Sequence, residues 1–323
     1  MCRPVAAAVF SILAWSGCGS NPAFSSGSPY PDQVVHQVQL GQYPTGICAV
    51  PGGDYVFVAQ TGSNSVAFVE TGGWTLVTDV DVGSCPRKVC VLPGEDYVYV
   101  SDHGSNTVSV IDVDAGQVVK TIATGSQTDA ICSLPSGEAV YVTNAWDDNV
   151  MVIETLSNTV TDTVEVGLFP SSICVSEDGE YVYAACTDSH RIDVIRTFDN
   201  SVVDSITVGR YPHEMCILPE DRSLYNVNHG DHSVTMVDLT LGMTVDTVHF
   251  DHEPYGICSL PTGDYVYVAL KYSADNLAVI RTSDNTVVEI LTVGTYAQAL
   301  MATSDGNHVL VPSQGDGKLL ILE

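Results

Sequence analysis

The stretch "GSCPRKVCVLPGEDYVYVSDHGSNTVSVIDVDAGQVVKTIAT" runs from residue 83 to residue 124. It holds four short runs rich in Val, Ile, Thr and Tyr, near 88–92, 96–101, 107–112 and 117–123. Between them lie "PGED", "HGSN" and "DAG", which supply positive-φ and Asx-type turn residues and leave no room for a ten-residue helix. The unit therefore reads as a four-stranded meander. Runs such as "YVYVS" and "YVFVA" are apolar on both faces, as a sheet sandwiched between two neighbours requires.

The same unit recurs along the chain. A cysteine returns every 42 residues at Cys48, Cys90, Cys132, Cys174, Cys216 and Cys258, in phrases such as "PTGICAVP" and "YGICSLP". Gly41, Gly83, Gly125, Gly167, Gly209, Asp251 and Gly294 mark one equivalent point and set the starts of seven units. A period of this length signals a solenoid, propeller or array, and four strands per repeat without helix point to the blade of a β-propeller. After Gly294 only 295–323 remain, enough for three strands. The fourth is predicted at the other end, because "DQVVHQVQLG" (32–41) aligns with "NSVVDSITVG" (200–209), the outer strand of a complete unit. Closure between the chain ends removes the exposed edges of an open array. The expected fold is all-β, a seven-bladed propeller spanning 33–323.

"AVYVTNAWDDNVMVIETLSNTVTDTVEVG" (139–167) resembles the YVTN-type β-propeller repeat, with Tyr141-Val142-Thr143-Asn144 spelling its signature, and the other units keep its outline. The resemblance implies the propeller fold and leaves activity open. Propellers of this type include surface-layer and envelope proteins, binding modules and lactonase-like enzymes, and one scaffold hosts many functions. A WD-type repeat is excluded, since the lone Trp146-Asp147 falls in a loop.

Residues 1–17 read as an export signal: Arg3 precedes an apolar stretch from Val5 to Trp15, too short to span a bilayer and of the length of a secretory h-region. "Trp15-Ser16-Gly17-Cys18" resembles a lipobox, which implies lipidation at Cys18. Trp15 departs from the usual Leu, so simple cleavage stays open. Residues 18–32 have the composition of a flexible tether. The expectation is an exported lipoprotein facing the periplasm or cell exterior, held to the membrane by its N-terminal lipid alone, and monomeric.

The chain carries 11 basic and 39 acidic residues, a formal net charge of −28. Nucleic-acid binding needs Lys and Arg to displace counterions, so a nucleic-acid partner is disfavoured. An envelope protein, peptide, glycan or small molecule remains as partner. Ten cysteines in an exported chain would suggest disulfides. Successive blades, however, are related by a rotation of about 51°, and equivalent Cα atoms about 7–9 Å apart lie outside the disulfide window. The six periodic cysteines read as compact apolar packing facing a neighbouring blade. Cys85 and Cys186 break the period and read as the reactive thiols.

Propeller function concentrates at the loops around the channel mouth. After each "YP"-like step come Thr45, Arg87, Asp129, Ser171, His213, Tyr255 and Gln298. The second strands end on Gln60, Asp102, Asn144, Cys186, Asn228, Leu270 and Ser313, followed by Thr61, His103, Ala145, Thr187, His229, Lys271 and Gln314. Framework residues repeat and these do not, which makes Arg87, His103, Asp129, His213, His229, Tyr255 and Lys271 the candidate ligand-binding residues. His103, His213, Glu214 and His229 are candidate ligands for a divalent metal, which would support a lactonase-like or lyase-like reaction; the plainer reading of them is as solvated loop residues. No H-E-x-x-H, G-x-S-x-G or C-x-x-C-H string is present. A binding or scaffolding module is the first reading, an enzyme at the same mouth the second.

Overall fold

The computed structural model describes residues 27–49, 52–94, 96–271 and 276–323. The export signal, Cys18 and the tether up to residue 26 lie outside the described residues. Seven four-stranded antiparallel sheets make up the molecule, six of them formed by consecutive strands. In the unit at 83–124 the strands are Pro86–Val91, Tyr97–Asp102, Thr107–Asp112 and Gln117–Ala123, within about two residues of the sequence expectation. Blade seven takes its outer strand from the N-terminus. Val34–Gln39 pairs antiparallel with Lys318–Leu322, from Val34↔Leu322 to Gln39↔Lys318 with a register shift between Val34 and His36. Among the described residues no helix is long and apolar enough to cross a membrane.

Burial follows strand order. The two middle strands of each blade are buried on both faces, as in Tyr181–Cys186 and Arg191–Arg196. Outer strands such as Thr159–Glu165 are mostly exposed, mixing Thr, Ser, Asp and Glu with exposed Val, and bury one repeated apolar position: Val38, Val80, Ile122, Val164 and Ile206. Polar, charged outer edges suit strands with no further neighbour to pair with. Seven apolar clusters fill the seven seams between adjacent blades, and each takes in one periodic cysteine or, at the last seam, Met301. None of the six cysteines forms a disulfide. Burial pushes the thiols of Cys48, Cys90, Cys132, Cys216 and Cys258 up, so they behave as small apolar side chains.

Tyrosines latch successive blades. Tyr99 Oη donates to Asn158 Oδ1 of the next blade (2.5 Å), Tyr141 to Asn200 (2.6 Å) and Tyr225 to Asn285 (2.5 Å). Each of these asparagines sits in a turn with φ near +52°, a conformation Asn tolerates well. Blade one carries Phe57, without a hydroxyl, and the corresponding turn of blade two carries Gly116 in place of Asn. In blade six Tyr267 donates to the Pro31 carbonyl (2.7 Å), so the N-terminal segment supplies the acceptor that blade seven lacks. Packed structure begins earlier than the tether reading of 18–32 implies. Tyr30 is buried, lies 4.7 Å from the Tyr265 ring and donates to Glu289 Oε2 at 2.8 Å.

Candidate functional site at the channel mouth

The backbone aims the mouth residues. The residue before the first strand is left-handed in blades one to five (Tyr43, Cys85, Gln127, Phe169 and Tyr211), as is Tyr296 before the isolated bridge at Ala297 in blade seven, and the first strand then shifts register within its first few residues in blades one to six. A bulge there re-aims the following side chain. The loops are tied across seams: Cys85 N–H donates to Asn64 Oδ1, Gln127 N–H to Asn106 Oδ1 and Phe169 N–H to Asp148 Oδ1, each at 2.8 Å.

In blades one, four, five, six and seven the mouth residue meets a same-blade neighbour sixteen positions later. Thr45 meets Thr61 (2.7 Å), Ser171 meets Thr187 (2.6 Å) and Gln298 meets Gln314 (3.0 Å). In blade five the pair is two stacked imidazoles, His213 and His229, with centroids 4.4 Å apart and planes 18° apart. Blade six pairs Tyr255 with Lys271, whose Nζ sits 3.9 Å above the ring. These two pairs join into one column, since Tyr255 lies 4.7 Å from both histidine rings.

Charge is neutralised locally. Arg87 faces Asp129 at 3.7 Å, and Glu253 lies 3.6 Å from Lys271 Nζ and 3.5 Å from His229 Nδ1. Lys88 and Glu214, from blades two and five, meet across the channel at 2.5 Å. Their equivalents in the other blades are Gly46, Ala130, Ser172, Gly256 and Ala299, so only these two are long enough to form a strut. Above it Thr45, Arg87, Asp129, His213, Tyr255 and Gln298 surround a pocket of about 20 Å³. Below it lies a chamber of about 170 Å³, girdled by Ile47, Val89, Ile131, Ile173, Met215, Ile257 and Leu300.

Burial and the cations Lys88 and Lys271 hold the His213 imidazole down to about 3. Burial, His213 and Lys271 hold His229 at about 2, so both rings are neutral at physiological pH. His213 Nδ1 and His229 Nε2 are buried without a hydrogen-bond partner. Burial pushes the Asp129 carboxyl up and, with Arg87, pushes His103 down. His103 Nδ1 lies 3.2 Å from the Thr128 carbonyl.

The structure thus brings Arg87, Asp129, His213, Glu214 and Tyr255 around one pocket, with His229 and Lys271 stacked behind. His103 sits with Arg87 and Asp129 in the blade-two sector. No group of three or more His, Cys, Asp or Glu close enough to share a metal ion occurs among the described residues. The lone pairs of the near-parallel His213 and His229 rings lie in their own planes and do not converge on one point.

Two expectations need correction. The second-strand ends are buried and hold up the loops instead of lining the mouth: Gln60 Oε1 accepts from Gly41 N–H, Asn144 Oδ1 from Gly125 N–H (3.1 Å) and Ser313 Oγ from Thr295 N–H (2.8 Å). Cys186 belongs to this set. It is fully buried with Sγ 3.6 Å from Asp193 Oδ2, and burial plus that carboxylate pushes its thiol up, the reverse of a reactive cysteine. Cys85 is exposed. Sequence reasoning passed over Lys88 and Glu253. Lys88 was legible as a long side chain at a position of small ones, and Glu253 as the one charged residue at a repeat position otherwise held by Tyr, Phe, Cys and Gln.

A family model described as a YNCE-like beta-propeller matches residues 98–317. No curated protein sequence matches the chain. Among solved structures, one titled Kuenenia stuttgartiensis Hydrazine Synthase superposes with a TM-score of 0.78 at 18% identity, covering 86% of this chain and 94% of that one. At that identity the likeness concerns the fold alone.

Proposed function

The chain belongs to the YNCE-like β-propeller family, and from that premise we propose that it is a binding module whose channel mouth takes a polar ligand bearing an anionic group. The observation that carries this reading is the column His213–His229–Tyr255–Lys271. It presents flat ring faces, two buried ring nitrogens without partners and a cation at its end. Unsatisfied buried polar atoms in a concavity are where a ligand gains most from hydrogen bonding. Three of the eleven basic residues of this acidic chain, Arg87, Lys88 and Lys271, gather there, each beside a carboxylate that a ligand carboxylate would displace. The Lys88–Glu214 strut leaves the ligand seated on the mouth instead of threading the channel. Histidines held at about 3 and about 2 are weak bases, which favours binding over general-base catalysis at this column. Export and a lipid on Cys18 would place the module at a membrane surface; loss of fatty-acid labelling in Cys18→Ser tests that part.

The test of binding is a thermal-shift screen over small carboxylates and peptides with free C-termini. The expected result is a ligand that raises Tm by mass action, with the shift abolished in His229→Ala and Lys271→Ala while the unliganded Tm stays near that of the parent. A ligand whose shift persists in both variants would overturn the assignment.

A further inference from the structure

The seam between blades seven and one departs from the pattern of the others. Leu310 pairs with Met301 as Tyr267 pairs with Cys258, so blade seven places Leu where blades two to six carry tyrosine. Blade one answers with Trp74, left-handed at φ 50°, at the position that Asn158, Asn200 and Asn285 hold elsewhere. Pro93, Pro135, Pro219 and Pro261 each fill space against a glycine of the next blade. The equivalent in blade seven is Ser304, whose Oγ accepts from Gly52 N–H at 3.1 Å. Together these replacements leave a cleft of about 450 Å³ on the face opposite the mouth. Its floor is Ala49, Val56, Met301 and Ala302, and one wall is Trp74 against the edge of His308, centroids 5.4 Å apart.

The lining selects among ligands. Polar side chains at the rim are already engaged: Thr303 Oγ1 donates to Asp305 Oδ1 (2.6 Å), Asn307 Nδ2 to Asp305 Oδ2 (2.8 Å) and Thr71 Oγ1 to the Gly53 carbonyl (3.2 Å). A sugar, hydroxylated all round, would find few partners there. An aromatic ring would gain edge and face contacts with Trp74 and His308 and the thioether of Met301. The Asp305 carboxylate at the rim and the net charge of −28 oppose an anion. We propose that this seam cleft is a second binding site, for a small neutral or cationic aromatic molecule.

Calorimetry on the purified full chain with p-cresol, benzamidine, benzoate and glucose tests it. The variants are Trp74→Asn, which restores the residue other turns carry, and His308→Tyr, which restores the tyrosine of positions 55, 97, 181 and 265. The expected result is binding of p-cresol or benzamidine, with benzoate and glucose at least about tenfold weaker, loss of binding in Trp74→Asn, altered affinity in His308→Tyr, and no change in His229→Ala. Failure of both aromatics to bind, equal binding of glucose, or binding unchanged in both seam variants would overturn the proposal. Independence from His229 separates it from the mouth.

Discussion

His213 and His229 stay neutral because ionising either would put a charge in a buried column that already holds Lys271, with Lys88 close by. The unfolded chain protonates them near the ordinary value of 6.5, while the folded rings resist down to about 3 and about 2. Between those limits the unfolded state binds more protons, so their contribution to stability is complete above 6.5 and declines as pH falls toward 3. The loss is at most about 1.4 kcal/mol per pH unit for each ring. Denaturant midpoints should therefore drop from pH 6.5 to pH 4, and more steeply in the parent than in His213→Gln/His229→Gln; parallel slopes would refute neutral burial. The periodic cysteines are a milder case. Cys132→Ala should cost about 1–2 kcal/mol, as small core truncations do, and thiol titration of the unfolded, non-reduced protein should find all six free. The chemical identity of the mouth residues was open to internal alignment, because framework positions repeat and these vary. Their pairing at a spacing of sixteen was not, since the partner lies across a turn whose geometry only the fold supplies.

At the scale of elements, the closing strand and its lead-in do different work. Val34–Gln39 satisfies the edge of Lys318–Leu322, and its alignment with 200–209 makes that pairing readable in the amino-acid sequence itself. The lead-in is not readable in that way. "SPYP" has tether composition, yet Tyr30 is buried and Pro31 accepts the Tyr267 hydroxyl, standing in for a blade-seven asparagine. Composition reports average solvation, whereas this segment is ordered by one ring and one carbonyl. Deleting 33–40 should lower Tm and promote association through the bared edge. Tyr30→Ala should lower stability by about 2–4 kcal/mol, toward the range of buried aromatic truncations, without association. If Tyr30→Ala melted like the parent, the lead-in would be a tether after all.

Across the whole molecule, seven seams carry seven separate apolar clusters, and cohesion around the ring is mostly neighbour to neighbour. That periodicity is why the fold was legible from one repeat unit, and why the departures from it locate the mouth, the strut and the open seam. The Lys88–Glu214 pair differs in kind because it connects blades two and five directly over the chamber. Both side chains are mostly buried, at 23% and 13% exposure, so each has lost most of its hydration and depends on the other. Removing one partner strands a buried charge and should cost about 2–4 kcal/mol in Glu214→Leu or Lys88→Met. Replacing both, as Lys88→Met/Glu214→Leu, should restore stability to within about 1 kcal/mol of the parent, since apolar contact substitutes for an ion pair whose attraction and desolvation nearly cancel. The double-mutant cycle then returns a coupling of about 2 kcal/mol or more. A double variant as unstable as the sum of the singles would mean that the two charges do not depend on one another, and that blades two and five are joined only through their neighbours around the ring.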